Sequence, residues 1–395
     1  MVDNRLIPVE GFKLYELKEL GLQWFWGDGT WDYFAEEVVQ ITPTECDAFH
    51  DAADQLYEMY KKAGTVVVEE GRWTELGIPR RFQDLMEYSW GNTSHLPLFG
   101  RFDFAGGIDG APIKLLEYNS DTCSILPESA IAQWEILRKN GLENHDQFND
   151  LFEDLVDRFK QVLLANPDLP PYILLSSMGF EEDAVNVKLL ADAAREAGFE
   201  VVSEYPLKDV IFSPEDGIFV EVSPGEFQPF GFWYKLVPWD FLAFEEPELM
   251  DILADIIMDR RVMVLNPPFT MMYQSKGMLK ILWELFPDHP LLLPATSDAN
   301  HQWNTPFVQK PYFGREGENV KIFDQHRYLL AEHDGDYGEQ RMVYQAMATL
   351  NRDSEKNYYQ PGVYFCKEPC ALSFRRRDGM IIDEDSQFIG HLIKE

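Results

Sequence analysis

Arg101-Phe102-Asp103-Phe104, Gly106-Gly107-Ile108-Asp109-Gly110 and Ile113-Lys114-Leu115-Leu116-Glu117-Tyr118-Asn119 form the most informative stretch of the chain. Two alternating runs flank a cluster of Gly and Asp, which is the signature of a β-hairpin. Alternation places Arg101 and Asp103 on one face of the first strand and Glu117 and Asn119 on one face of the second. A three-residue loop at 109–111 then sets Asp103 opposite Glu117 and Arg101 opposite Asn119. Two carboxylates and an amide oxygen would converge, a hard-oxygen cluster suited to Mg²⁺ with water and phosphate completing its octahedron. An Arg beside it can hold a carboxylate or a transferring phosphoryl group through paired hydrogen bonds. The same pattern also describes an ordinary solvated sheet face, whose opposite charges pair for ~0.2–1 kcal/mol each, and a two-residue turn would break the alignment.

A second stretch, Phe307-Val308-Gln309-Lys310-Pro311-Tyr312-Phe313-Gly314-Arg315-Glu316-Gly317, ends a strand on a Lys and continues into a Gly-x-x-Gly loop. Backbone N–H groups of such a loop can approach an anion closely, as a nucleotide's phosphates require. An ordinary turn has the same composition. The loop is not the G-x-x-x-x-G-K-[ST] pattern, and no G-x-G-x-x-G opens a helix, so P-loop and dinucleotide-binding readings lose support.

Working outward, 395 residues at ~150 per domain make two or three packed units, and 45% apolar residues suffice for their cores. Sixty-eight Asp and Glu against thirty-four Lys and Arg leave a net charge of −34. That field repels nucleic acid and anionic membranes, while small cations such as polyamines and metals remain compatible with it, although an acidic surface is more often a solubility device. No apolar run approaches the ~20 residues that span a bilayer, and no n-region and h-region open the chain. Cys46, Cys123, Cys366 and Cys370 are too few for a disulfide framework, so a reducing cytoplasm is expected.

The first 45 residues read as irregular, aromatic-rich wrapping with one short helix near 14–20. Apolar steps of three and four predict helices over 44–62, 127–139 and 146–164. From Pro170-Pro171 the texture becomes strand 172–176, helix 183–197, Gly198, strand 200–204, a βαβ unit. Strands follow at 218–222 and 230–235, a helix at 247–260, a buried strand at 262–265 and a helix at 275–285. A strand ending at Lys310, a helix around 337–349 and closing strands near 363–367, 371–376 and 380–383 complete a mixed α/β chain. No repeat of 20 to 50 residues is present. The expected organisation is an N-terminal part (1–169) carrying the hairpin, a small α/β subdomain (170–265) and a C-terminal part (266–395) carrying the loop 310–317.

Other chemistries fade. The eight His are scattered without H-E-x-x-H, which argues against a zinc enzyme. Cys366-Lys-Glu-Pro-Cys370 lacks a second ligand pair, and Ser124 and Ser177 lack the G-x-S-x-G context. Glu181-Glu182 at a helix start also suits the helix dipole there.

Arg-Phe-Asp-Phe, Leu-Glu-Tyr-Asn-Ser-Asp-Thr-Cys-Ser, Asn266-Pro-Pro-Phe-Thr with Lys276 downstream, Ile281-Leu-Trp-Glu-Leu-Phe-Pro287, and Lys310-Pro with Gly314-Arg315-Glu316-Gly317 together resemble the synthetase domain of the glutathionylspermidine synthase family. The likeness runs in order from about residue 20 onward. It implies an ATP-grasp-like ligase of permuted order with a small Rossmann-like substrate subdomain, using ATP and Mg²⁺. On this resemblance Arg101, Phe102 and Asp103 border ATP, Arg101 steadies the transferring phosphoryl group, and Asp103, Glu117 and Asn119 hold Mg²⁺. Lys276 and Lys310 reach phosphates, Gly317 lies in the phosphate loop, and Gln345, Gln360, Met380, Ile381 and Ile382 surround the adenine. Thr122, Ser124, Glu181, Glu182, Arg315 and Arg376 match positions that grip the peptide substrate. Members that also hydrolyse their product carry an N-terminal cysteine amidase domain, for which this chain has no room before the hairpin, so hydrolysis is not expected. The region 178–241 departs from the family, with Gly179 and Phe241 where polar side chains are expected.

The resemblance implies ligation of a carboxylic acid or short peptide to an amine, such as a polyamine, through an acyl phosphate. A degenerate ATP-grasp module would bind nucleotide or polyamine without joining anything. A glycosidase would use paired carboxylates at ~5–10 Å, and leaves Lys310 and its loop without a task.

Overall fold

The long helix Pro43–Glu70 organises the N-terminal half of the computed structural model, which describes residues 2–22 and 33–395. Thr42 caps it in a reciprocal box with Glu45, Pro43 pre-sets its first turn, and Gly71 closes it at φ +66°. It outruns the expected 44–62 because Ala63, Gly64 and Val67 prolong the buried stripe of Phe49, Leu56 and Tyr60.

The helix packs on a six-stranded sheet that contains the hairpin. Strands Gly100–Ala105 and Lys114–Asn119 pair with Asp103 opposite Glu117 and Arg101 opposite Asn119, the register expected from alternation. The connection differs, because a register shift after Asp103 sets Phe104 against Leu115 and the strands are joined by residues 106–113. Gly107, at φ +89°, lets this loop pass the Phe49 ring, 2.2 Å from where a Cβ would stand. On its other edge Gly100–Ala105 pairs antiparallel with Tyr358–Phe365, followed by Pro369–Arg377 and Gln387–Ile389. Hairpin and C-terminal strands are one sheet.

Four parallel strands, Met263–Leu265, Phe232–Leu236, Tyr172–Ser177 and Val201–Glu204, form a second sheet. Helix Glu181–Ala197 makes the βαβ crossover and ends at Gly198. A five-stranded antiparallel sheet is built from Ala295–Thr296, Met342–Ala346, Phe307–Pro311, Lys321–Phe323 and Leu329–Glu332. Asn266, fully buried, ties the layers: its side chain bonds the backbone of Leu98, Phe99 and Asp121, and its carbonyl accepts from Trp239 Nε1.

Three expectations are corrected. The helix around 337–349 is the strand Met342–Ala346, where Val343 and Gln345 are buried and their neighbours are not, a period of two rather than 3.6. Residues 380–383 form a loop, since Pro369–Arg377 takes Gln387–Ile389 as its partner and Arg377 pairs back to Asp383. The aromatic-rich beginning contains strands Leu6–Pro8 and Glu37–Ile41, which pair with each other, the latter also with His391–Ile393. Its most Trp-rich part, 23–32, lies outside the described residues. No described helix is long and apolar enough to cross a membrane.

Candidate functional site

The hairpin face, the strand Phe307–Pro311 with the glycine loop that follows it, and the ends of the parallel strands enclose a cleft of about 810 Å³. Its floor is a row of side chains set by strand register, with Arg101, Asp103, Glu117 and Asn119 from the hairpin and Gln360 and Arg375 from the neighbouring strands. Gly362 lies opposite Asp103, and a Cβ there would stand 2.9 Å from Arg101 Cδ and 3.2 Å from Asp103 Oδ1. The missing side chain leaves space for a bidentate pair, Arg101 Nε to Asp103 Oδ1 at 2.6 Å and Nη2 to Oδ2 at 3.0 Å. Arg101 Nη1 also donates to the Ser124 carbonyl at 3.2 Å.

Asn119 Nδ2 donates to Asp103 Oδ2 at 2.9 Å and to Glu117 Oε1 at 3.2 Å, so the two carboxylates converge on one atom-sized position. Among the described residues no group of three or more His, Cys, Asp or Glu forms a metal cluster. Two carboxylates nonetheless suit a small hard cation that completes its shell with water and phosphate. Asp103 and Glu117 fit that role as they stand, whereas Asn119 presents its nitrogen.

Two cations arrive from other elements. Lys276 Nζ lies 3.0 Å from Glu117 Oε2 and donates to the Gly314 carbonyl at 2.6 Å. Lys310, at the end of Phe307–Pro311, donates to Gln345 Oε1 at 2.9 Å and to the Leu116 carbonyl at 3.2 Å. Burial pushes the Lys310 ammonium down to about 8, with Glu117 opposing and Lys276 adding to the fall. For Glu117 burial raises the carboxyl, but Lys276 and Lys310 outweigh it and bring it to about 2. Asp103 is raised, because burial exceeds the pull of Arg101. Three cationic and two acidic side chains thus share this end, an excess of positive charge in a chain of strongly negative total.

Loop residues form the remaining walls. Gly317, at φ +73°, sits where a Cβ would meet Ile381 Cγ2 and the Ile382 carbonyl, both at 2.8 Å, which brings residues 380–382 against the glycine loop. Arg315 is paired with buried Asp240 and donates to the Phe313 carbonyl. A second charged group on the lining is Glu182, Asp183, Glu316, Glu384 and Asp385 with Arg315 and Arg375. Burial raises Asp183 to about 6, reinforced by Glu316, and raises Glu182 and Glu316 as well.

Of the residues singled out from sequence, Arg101, Asp103, Glu117, Asn119, Thr122, Ser124, Glu182, Lys276, Lys310, Arg315, Gly317, Gln360, Met380, Ile381 and Ile382 line the cleft. Four do not. Phe102 points to the opposite face and stacks on Tyr118 at 3.9 Å between ring centres, as alternation from Arg101 requires. Gln345 stands behind Lys310, with its Nε2 donating to the Leu115 carbonyl. Glu181 is exposed at its helix start. Arg376 turns away to Glu37 and Gln387, and its neighbour Arg375 faces the cleft instead. Within Arg375-Arg376-Arg377 only the register opposite Gln360 decides which Arg faces inward. Gln274, which lines the cleft and donates to Asn119 Oδ1 at 3.2 Å, has no local sequence signal.

The family described as "Glutathionylspermidine synthase preATP-grasp" matches residues 8–394. A Haemophilus influenzae protein provisionally named an acid–amine ligase is 28% identical, covering 96% of this chain and 94% of its own. The bifunctional glutathionylspermidine synthetase/amidase of Escherichia coli is 25% identical over 76% of this chain and 50% of its own. The glutathionylspermidine synthase of Crithidia fasciculata is 26% identical over 69% and 41%. The chain thus spans about half the length of these last two. A glutathione synthetase-like effector from Globodera pallida, 9% identical, superposes over 97% of this chain and 98% of its own with a TM-score of 0.57, a likeness of fold.

Proposed function

This chain belongs to the glutathionylspermidine synthase family, whose members include ligases, and from that premise we propose that it is an ATP-dependent carboxylate–amine ligase. The observation that carries the reading is the convergence of the Asp103 and Glu117 carboxylates with Arg101, Lys276 and Lys310 in one cleft. A divalent cation, Mg²⁺ in this reading, would be held by Asp103 and Glu117 and would supply charge neutralisation for the triphosphate. Lys276 and Lys310 would bind phosphate oxygens, and backbone N–H groups of residues 314–317 would approach them. Gln345 would hold Lys310 in place. Met380, Ile381 and Ile382, with Gln360, would border the base.

In the first step the acid's carboxylate oxygen bonds to the γ-phosphorus while the bond to the bridging oxygen of ADP breaks, giving an acyl phosphate. Arg101, held by Asp103 but open along the cleft, would steady the transferring phosphoryl group. In the second step an unprotonated amine nitrogen attacks the acyl carbon, phosphate leaves, and the nitrogen gives up a proton. Thr122, Ser124 and Arg315, which line the cleft, would contact a short peptide acid. The carboxylates around Glu182 and Asp183 favour a cationic amine, so polyamines are the expected class. Cytoplasmic location belongs to the same reading.

A coupled assay of ADP release with Mg-ATP, crossing short peptides that include glutathione with polyamines and amino acids, tests it. ADP release that requires both an acid and an amine is expected. Thermal stabilisation by ATP with no release for any pair would favour a nucleotide-binding module without ligase activity.

A further inference from the structure

Gln274 is buried at the end of the short helix Thr270–Gln274, 5% exposed, and all three of its hydrogen bonds run to the segment 119–121. Its Oε1 accepts from the backbone N–H of Ser120 at 2.9 Å and of Asp121 at 3.2 Å. Backbone N–H groups only donate, so the amide cannot be turned over without setting donors against donors. Nε2 therefore faces Asn119, and the Asn119 atom 3.2 Å away is its oxygen. It follows that Asn119 turns Nδ2 toward Asp103 and Glu117. The polarity of two peptide groups is relayed through two side-chain amides to the point where the carboxylates meet. Ser120 Oγ, bonded to the Thr270 carbonyl at 2.9 Å, holds strand end and helix at this spacing.

We propose that Gln274 is a positioning residue that turns the amide nitrogen of Asn119, rather than its oxygen, to the carboxylate pair and thereby weakens cation binding there. This rests on reading the cleft as a cation-assisted ligase site. The Asn119 N–H₂ group serves as a neutral placeholder: it satisfies Asp103 and Glu117 in the free protein, and its oxygen becomes a ligand only when the bond to Gln274 is given up. Gln274→Glu reverses the relay. A carboxylate at 274 still accepts from Ser120 and Asp121 but can only accept from Asn119, which must then turn its oxygen toward the acidic pair.

The test is Mn²⁺ titration of the full chain without nucleotide, with free Mn²⁺ followed by electron paramagnetic resonance, since Mn²⁺ shares the oxygen preference of Mg²⁺. Gln274→Glu is expected to tighten Mn²⁺ about tenfold, within the range outer-shell partners command. The added charge alone would also tighten it, so the same change is made in an Asn119→Ala background, where less than a twofold gain is expected. An equal gain in both backgrounds, or none in the first, overturns the proposal. If Gln274→Glu does not fold, Asn119→Asp replaces the turned-in nitrogen by oxygen while still accepting from Gln274. Tighter Mn²⁺ is expected there too, and unchanged affinity overturns the proposal. Mn²⁺ binding unaltered by Glu117→Ala would instead remove the cation site itself, and the reading of the cleft with it.

Discussion

Arg101 and Lys310 carry the two clearest single-residue expectations. Arg101 faces the cleft from the hairpin, with Asp103 and the Ser124 carbonyl as partners. Arg101→Ala should lower turnover by ~10²–10³-fold, in line with loss of a preorganised charge donor, while circular dichroism stays that of the parent. Lys310, brought down to about 8 by burial, is charged below that pH and loses its proton above it. Affinity for ATP, measured by isothermal titration from pH 7 to 9.5, should fall as pH rises through about 8, and Lys310→Met should flatten the profile. The charged residues of the hairpin were legible from alternation. The inward Arg of Arg375-Arg376-Arg377 and the buried Gln274 were not, because each depends on a strand or helix distant in sequence.

Between elements, the pairing of the hairpin with Tyr358–Phe365 shapes the site as much as the hairpin does. Gly362→Ala would bring a methyl group to 2.9 Å from Arg101 Cδ, against side chains that are themselves held by hydrogen bonds. Overpacking of this kind costs ~1–3 kcal/mol, so the melting temperature should drop, and turnover should fall even where the protein is fully folded. Helices with long apolar stripes and the βαβ unit were readable from periodicity and Gly ends. Met342–Ala346 was not, since five residues are too short to separate a period of two from one of 3.6. The register at Asp103 and Glu117 was correctly read although the loop was not, because the pairs nearer the loop, Phe104 with Leu115 and Ala105 with Lys114, run one residue off and the bulge takes up that residue, restoring Asp103 opposite Glu117.

Across the molecule the excess of acidic residues is not uniform in its effect, since Arg101, Lys276 and Lys310 surround Asp103 and Glu117 while Glu182, Asp183, Glu316, Glu384 and Asp385 also line the cleft. A polyamine should therefore show a KM that rises with salt, by screening, and rises again as pH falls through about 6, where Asp183 takes up a proton. Steady-state kinetics with spermidine and with a neutral-tailed monoamine would separate this from effects on chemistry, with the monoamine expected to be much less sensitive. The sheet that carries the cleft floor joins residues 100–119 to strands beginning at residue 358. During synthesis the hairpin must wait for more than two hundred residues to leave the ribosome before its open edge is closed. A nascent chain is exposed over that interval, and the covering of that edge by the last strands makes assembly of the cleft one of the final events of its birth.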